Sequence, residues 1–116
     1  MSNISIGKIN NQEIQVIDLF GIEYIYLKPI CSALGVSYTK EVFEVMENDF
    51  VSDKHKLLPI VIDEKETDSI AIPIKYMLGY IAVISKKTFL SKDDYLKNKR
   101  KILDAMYEYL FPHYKE

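Results

Sequence analysis

Apolar positions change their spacing along the chain, and the changes divide it into elements. From Ile4 to Leu27 they come in short β-branched and aromatic runs: Ile4, Ile6 and Ile9; Ile14, Val16, Ile17, Leu19 and Phe20; then Tyr24 to Leu27. The polar trio Asn10-Asn11-Gln12 and the glycine Gly21 separate these runs, a pattern that predicts a meander of hairpins. At Pro29 the period lengthens. Ile30, Cys31, Ala33 and Leu34 recur at helical spacing and Gly35 supplies a stop. Proline fits the first turn of such a helix because its missing N–H has no partner there. Val42, Phe43, Val45 and Met46 among Glu41, Glu44 and Glu47 predict a second helix, so residues 29–47 read as two short helices joined by a tight turn.

Strand pattern returns from Phe50 to Pro73. Two apolar runs, Leu57 to Ile62 and Ile70 to Ile72, flank the charged tip Asp63-Glu64-Lys65-Glu66-Thr67-Asp68 and predict a long hairpin. Pro59 places its strand at an edge or a bulge. Tyr76, Met77, Tyr80, Ile81 and Ile84 then share one face of a third helix, in which Gly79 is expected to permit close packing. Ser91 with Asp94 three residues on marks the start of a last helix over about residues 92–111, its apolar stripe Leu96, Leu103, Met106, Tyr107 and Leu110, its stop Pro112. No repeat or linker interrupts the pattern. The expectation is one α+β domain over 1–116: an antiparallel β meander and hairpin packed with about four helices, including a helical hairpin and a long C-terminal amphipathic helix.

Charge alters this picture more than composition does. The 116 residues are 48% apolar, with 15 basic and 17 acidic side chains and a net charge of −2, which excludes a bulk polycation for nucleic acid. The near-neutral total conceals two poles. Residues 41–68 hold nine acids against three lysines, a sum of −6; residues 85–101 hold seven bases against two acids, a sum of +5. Two readings stand: a solvated surface with clustered charge, or a bipolar surface that orients a partner or a second copy. Glu41, Glu44, Glu47 and Asp49 are the candidate partner-binding acids. Lys97, Lys99, Arg100 and Lys101 are the candidate phosphate contacts.

The chemical inventory is short. His55 and His113 have no Cys, His or carboxylate at metal-ligand spacing, and Gly7, Gly21, Gly35 and Gly79 are too scattered for a phosphate-cradling loop. Cys31, on the apolar face of its helix, reads as a small buried hydrophobe, and a lone cysteine fits a reducing cytoplasm. No apolar run reaches the roughly 18 residues that span a bilayer. The expectation is a non-enzymatic cytoplasmic protein with no metal and no cofactor. The helix pair at 29–47 has the rhythm of a helix-turn-helix, but Lys40 against Glu41, Glu44 and Glu47 opposes docking on phosphates, so packing on the sheet is the favoured reading. Nine tyrosines, with Tyr107, Tyr109 and Tyr114 near the end, suit an interface as well as a core edge.

Three stretches carry a family resemblance. Tyr24-Ile25-Tyr26-Leu27-Lys28-Pro29-Ile30-Cys31 with Ala33-Leu34-Gly35, then Ile72-Pro73-Ile74-Lys75-Tyr76-Met77-Leu78-Gly79-Tyr80, then the basic, tyrosine-bearing helix from Tyr95 to Phe111 resemble, in order and spacing, the N-terminal domain of phage antirepressor proteins. That family is similar in turn to BRO-type N-terminal domains of large DNA viruses and prophages. The resemblance runs from about residue 5 to 112, with Pro29, Cys31, Leu34, Gly35, Gly79 and Tyr80 as its structural motif positions and Tyr80 where tryptophan is common. It implies a regulator that binds a repressor protein and relieves repression, expected as a homo-oligomer in a bacterial host. DNA binding through 85–101 is the alternative. The chain departs from the family after Gly35, where Glu41, Glu44 and Glu47 replace the usual glutamine and basic residues.

Overall fold

The computed structural model describes residues 3–49, 51–84 and 87–112. Ile4–Ile9 (β1), Gln12–Leu19 (β2) and Ile22–Tyr26 (β3) form the meander; Leu27–Leu34 (α1) and Tyr38–Glu47 (α2) are the helix pair. Lys56–Ile62 (β4) and Lys65–Pro73 (β5) make the second hairpin, followed by Ile74–Tyr80 (α3), a 3-10 turn at Ile81–Val83, and Lys92–Leu110 (α4). All five strands join one antiparallel sheet in the order β1-β2-β3-β5-β4. The fold is α+β.

Each hairpin closes on two residues with positive φ: Asn10 and Asn11, Phe20 and Gly21, Asp63 and Glu64. Such turns match the right-handed twist of the strands they join. They are tighter than the sequence pattern predicts. Gln12 opens β2, and Lys65 to Asp68 extend β5 rather than cap it. Phe20, read as the end of a strand, occupies a turn at φ 53° and is 99% exposed.

The helices cover one face of the sheet. Ile14 and Val16 of β2, Ile25 of β3 and Ile70 and Ile72 of β5 meet α1, α3 and α4 in the main core. α1 sits at its centre, with Leu27, Pro29, Ile30, Cys31, Ala33 and Leu34 all buried. It begins two residues before Pro29, within the first turn that tolerates proline, and the buried Ser69 hydroxyl of β5 accepts the free Lys28 N–H at 3.1 Å.

Ile17, Tyr24, Tyr26, Ile60 and Ala71 form a second cluster on the other face. There Gln15 Nε2 of β2 donates to the Val61 carbonyl of β4 at 3.2 Å, and Tyr26 Oη donates to the Pro59 carbonyl at 2.9 Å. In a flat sheet β2 and β4 would stand three strand spacings apart, about 14 Å. An amide side chain bridges them only because the sheet curls. The curl also blunts the β4 edge, where Pro59 withholds an outward donor and side chains occupy the outward carbonyls.

Two helical expectations need correction. Gly79 is exposed, and a Cβ built on it meets nothing within 4 Å, so it serves no close packing. The expected α4 stripe holds at Leu103, Met106 and Leu110, which pack on the core, but its most buried residues are Tyr95, Ile102 and Met106, and Leu96 and Tyr107 are 36% and 43% exposed. Tyr95 is buried with its hydroxyl satisfied, donating to the Ile84 carbonyl at 3.2 Å.

Candidate functional site

Helix α2 begins at Ser37, whose hydroxyl accepts the Lys40 N–H, and Tyr38 pins it to the sheet by accepting the Ile70 N–H at 2.9 Å. This docking fixes which acids face outward. Glu44, Glu47 and Asp49 are exposed, but Glu41 is 1% exposed and accepts a hydrogen bond from Tyr80 Oη at 3.0 Å. Glu41 therefore leaves the expected acidic face: Tyr38, Glu41, Val42 and Val45 lie on one side of a 3.6-residue helix, and that side packs inward. Burial pushes the Tyr80 hydroxyl well above its ordinary pKa, and the Glu41 carboxylate adds to the shift. The Cys31 thiol, 1% exposed in the core, is raised by the same two causes in the same order.

Between α2 and the second hairpin runs a groove of about 470 Å³. Val42, Phe43 and Met46 form one wall, Leu57 and Ile70 the other, with Phe43, Met46 and Leu57 64%, 53% and 61% exposed. Beyond it, register places Val61 beside Glu66 and Pro59 beside Asp68 on the same face as Leu57 and Ile70. The residues that line the groove include no carboxylate, and its one charged group is Lys56, next to His55; Glu44 and Glu47 are exposed elsewhere on α2, and Glu66 and Asp68 on β5 past the groove.

The four basic candidates on α4 divide. Lys97, Arg100 and Lys101 are exposed, on an outer face shared with Asp93, Asp104 and Glu108. Lys99 is turned away: its Nζ donates to the Ala82 carbonyl at 3.1 Å and lies 5.3 Å from the centre of the Tyr95 ring. The sequence pattern missed a pocket of about 740 Å³ on that side, where Val83, Leu90 and Leu96 are joined by Lys87, Lys92 and Lys99. None of the described residues that line it is acidic. Its lysines were visible in the charge sum; their convergence depends on the path of the 87–91 loop, which has no periodic signal.

That loop docks on the C-terminus of α1. Gly35 takes φ 68°, and Val36 N–H returns to the Cys31 carbonyl in a helix stop of the expected kind. Thr88 Oγ1 donates to the Leu34 carbonyl, Phe89 N–H to the Gly35 carbonyl at 2.9 Å, and Asn98 Nδ2 to the Ala33 carbonyl at 3.0 Å. Of the motif positions, Pro29, Cys31, Leu34 and Tyr80 are core, Gly35 is the stop, and Gly79 faces solvent.

Among the described residues no group of three or more His, Cys, Asp or Glu converges to hold a metal ion, and no helix is long and apolar enough to cross a membrane. His55 Nδ1 lies 3.4 Å from the Val51 carbonyl. Phe50, Lys86, His113 and Tyr114 lie outside the described residues. Comparison with protein-family models, with curated proteins and with solved structures finds no match to this chain.

Proposed function

We propose that the chain is an antirepressor-like regulator, a protein-binding module that captures the basic DNA-reading helix of a phage or prophage repressor and so relieves repression. One observation carries this reading: the groove between α2 and the β4–β5 hairpin is apolar, with Phe43, Met46 and Leu57 exposed, and both elements that form it also expose carboxylates, Glu44 and Glu47 on α2 and Glu66 and Asp68 on β5. An amphipathic helix lays an apolar face into such a groove, and a DNA-reading helix adds the Lys and Arg that pair with Glu44, Glu47, Glu66 and Asp68. The resemblance to antirepressor domains supports the same reading. DNA binding through 85–101 gains less, because Asp93, Asp104 and Glu108 share the outer face of Lys97, Arg100 and Lys101.

The test is fluorescence anisotropy with a labelled basic recognition-helix peptide from a helix-turn-helix repressor, with its charge-inverted counterpart and with duplex DNA. The basic peptide is expected to bind, to weaken with salt, and to lose at least about tenfold in affinity when Glu44→Lys and Glu47→Lys are combined. Binding of the duplex without the peptide, or equal binding of both peptides, overturns the reading.

A further inference from the structure

The lysine pocket is built on one face of α4. Lys92, Tyr95, Leu96 and Lys99 stand at i, i+3, i+4 and i+7, so they share that face, and the two lysines are rooted about 10 Å apart along the axis with Leu96 between them. Asp93 and Asp94 turn about 100° and 200° away from Lys92 and do not line the pocket. Val83 and Leu90 add apolar wall, and Lys87 completes the rim. Lys99 is the fixed cation of the site. It is half-buried, and its Nζ donates to the Ala82 carbonyl at 3.1 Å and to Tyr95 Oη at 3.4 Å, which leaves one of its three N–H groups for a further acceptor. Among the described residues no carboxylate pairs with Lys92 or Lys99.

An ammonium held beside apolar surface without a counter-ion favours an occupant that brings both a negative charge and an apolar body. The volume, about 740 Å³, falls in the range of small-molecule sites. A cation or a zwitterion finds no acid among the described residues that line it. A nucleic-acid backbone needs cations spread along an open face, and the outer face of α4 next to the pocket carries Asp93, Asp104 and Glu108. We propose that this pocket binds a small amphipathic organic anion. Its carboxylate accepts the remaining Lys99 N–H, Lys92 adds attraction at the rim, and its aliphatic or aromatic body lies against Val83, Leu90 and Leu96.

This inference does not rest on repressor capture. Its probes are naphthoate and octanoate, each beside its uncharged alcohol, and inorganic phosphate as a charge without a body. In NMR titrations of the whole chain, at least one carboxylate is expected to shift the amides of Val83, Leu90 and Leu96. It should bind at least about tenfold more tightly than its alcohol or than phosphate, a factor that one charge-assisted hydrogen bond supplies. Lys99→Met keeps the apolar stem without the charge and is expected to lose about tenfold in affinity, while Lys97→Met, on the outer face of the same helix, binds as the wild type does. Circular dichroism checks that the variants fold. Should Lys99→Met unfold, Leu96→Asp at an exposed position carries the test: it sets a carboxylate in the site and is expected to abolish binding. The proposal is overturned if neither carboxylate shifts these amides at millimolar concentration, or if the alcohol or phosphate binds as tightly. Undiminished binding by folded Lys99→Met or Leu96→Asp overturns it as well. So does a DNA duplex that shifts the same amides when the carboxylates do not, which would assign these lysines to nucleic acid.

Discussion

Replacing Gly35 with alanine tests the junction on which both candidate surfaces depend. At φ 68° an alanine sits in the left-handed region, which costs about 1–2 kcal/mol for a residue with a Cβ. The new atom also has no room: built on the backbone, it lies 2.8 Å from Thr88 Oγ1, 2.9 Å from Leu90 Cγ and 3.3 Å from the Leu90 backbone nitrogen. A side chain can rotate away but the backbone nitrogen cannot, so the 87–91 loop must lift. Lifting it breaks the Thr88 bond to the Leu34 carbonyl and the Phe89 bond to Gly35, each worth about 1 kcal/mol. The sum is about 3 kcal/mol, or a fall in Tm of roughly 10 °C for a chain of this size. Urea unfolding is expected to show a lower midpoint with an unchanged slope. Gly79→Ala is the matched control. That glycine lies within α3, away from the left-handed region, with open space around it, so the same substitution is expected to stabilise by about 0.5–1 kcal/mol. A Gly35→Ala protein within about 0.5 kcal/mol of wild type would refute the reasoning.

The remaining predictions follow from single groups. Phe20→Asn replaces an exposed aromatic at φ 53° with a residue that tolerates that turn, and thermal unfolding is expected to shift upward by about 1 kcal/mol in stability. Cys31, buried in α1, is expected to react with a thiol reagent at the rate of unfolding, with full reaction only in denaturant; fast native labelling would contradict the core placement. Stability is expected to fall at alkaline pH. Burial raises Cys31 above its ordinary value of 9.0, Tyr26 and Tyr80 above 10.0, and pushes Tyr109 up to about 12. These groups stay protonated in the fold while the unfolded chain loses those protons. The unfolded state therefore binds fewer protons, and stability drops as pH rises. The urea midpoint should decline between pH about 9 and about 12, and a flat profile there would be the contrary result.

What was legible in the sequence was periodic or punctuated. β-branched runs, the Asn10-Asn11 pair, Pro59, Gly35 and the Ser91-Asp94 entry each encode a local backbone preference, and each appears where the pattern put it. Orientation was legible only in part. On α4, Tyr95 packs inward with its hydroxyl on the Ile84 carbonyl, and the inward Glu41 bonds Tyr80, 39 residues away. The Glu41–Tyr80 pair lies beyond any local window, and the Tyr95–Ile84 bond crosses a stretch of sequence with no periodic signal. The lysine pocket was hidden for the same reason, since Lys87, Lys92 and Lys99 converge only once the loop has docked on α1. Net charge over a segment locates a pole but not the face that presents it.

The C-terminus of α1 ties the two surfaces into one frame. Ser37, three residues after Leu34, caps α2, so the direction of the apolar groove is set by the turn at Gly35. Thr88, Phe89 and Asn98 bind the last carbonyls of the same helix, so the lysine pocket takes its position from the same turn. These bonds leave little freedom for one surface to rotate against the other. Gly35→Ala, by lifting the loop, disturbs this frame as well as the fold. Under conditions where that variant remains folded, it is expected to bind the basic recognition-helix peptide more weakly than the wild type, because the start of α2 shifts with the turn. Unchanged peptide affinity in the folded variant would show that the groove does not take its direction from α1.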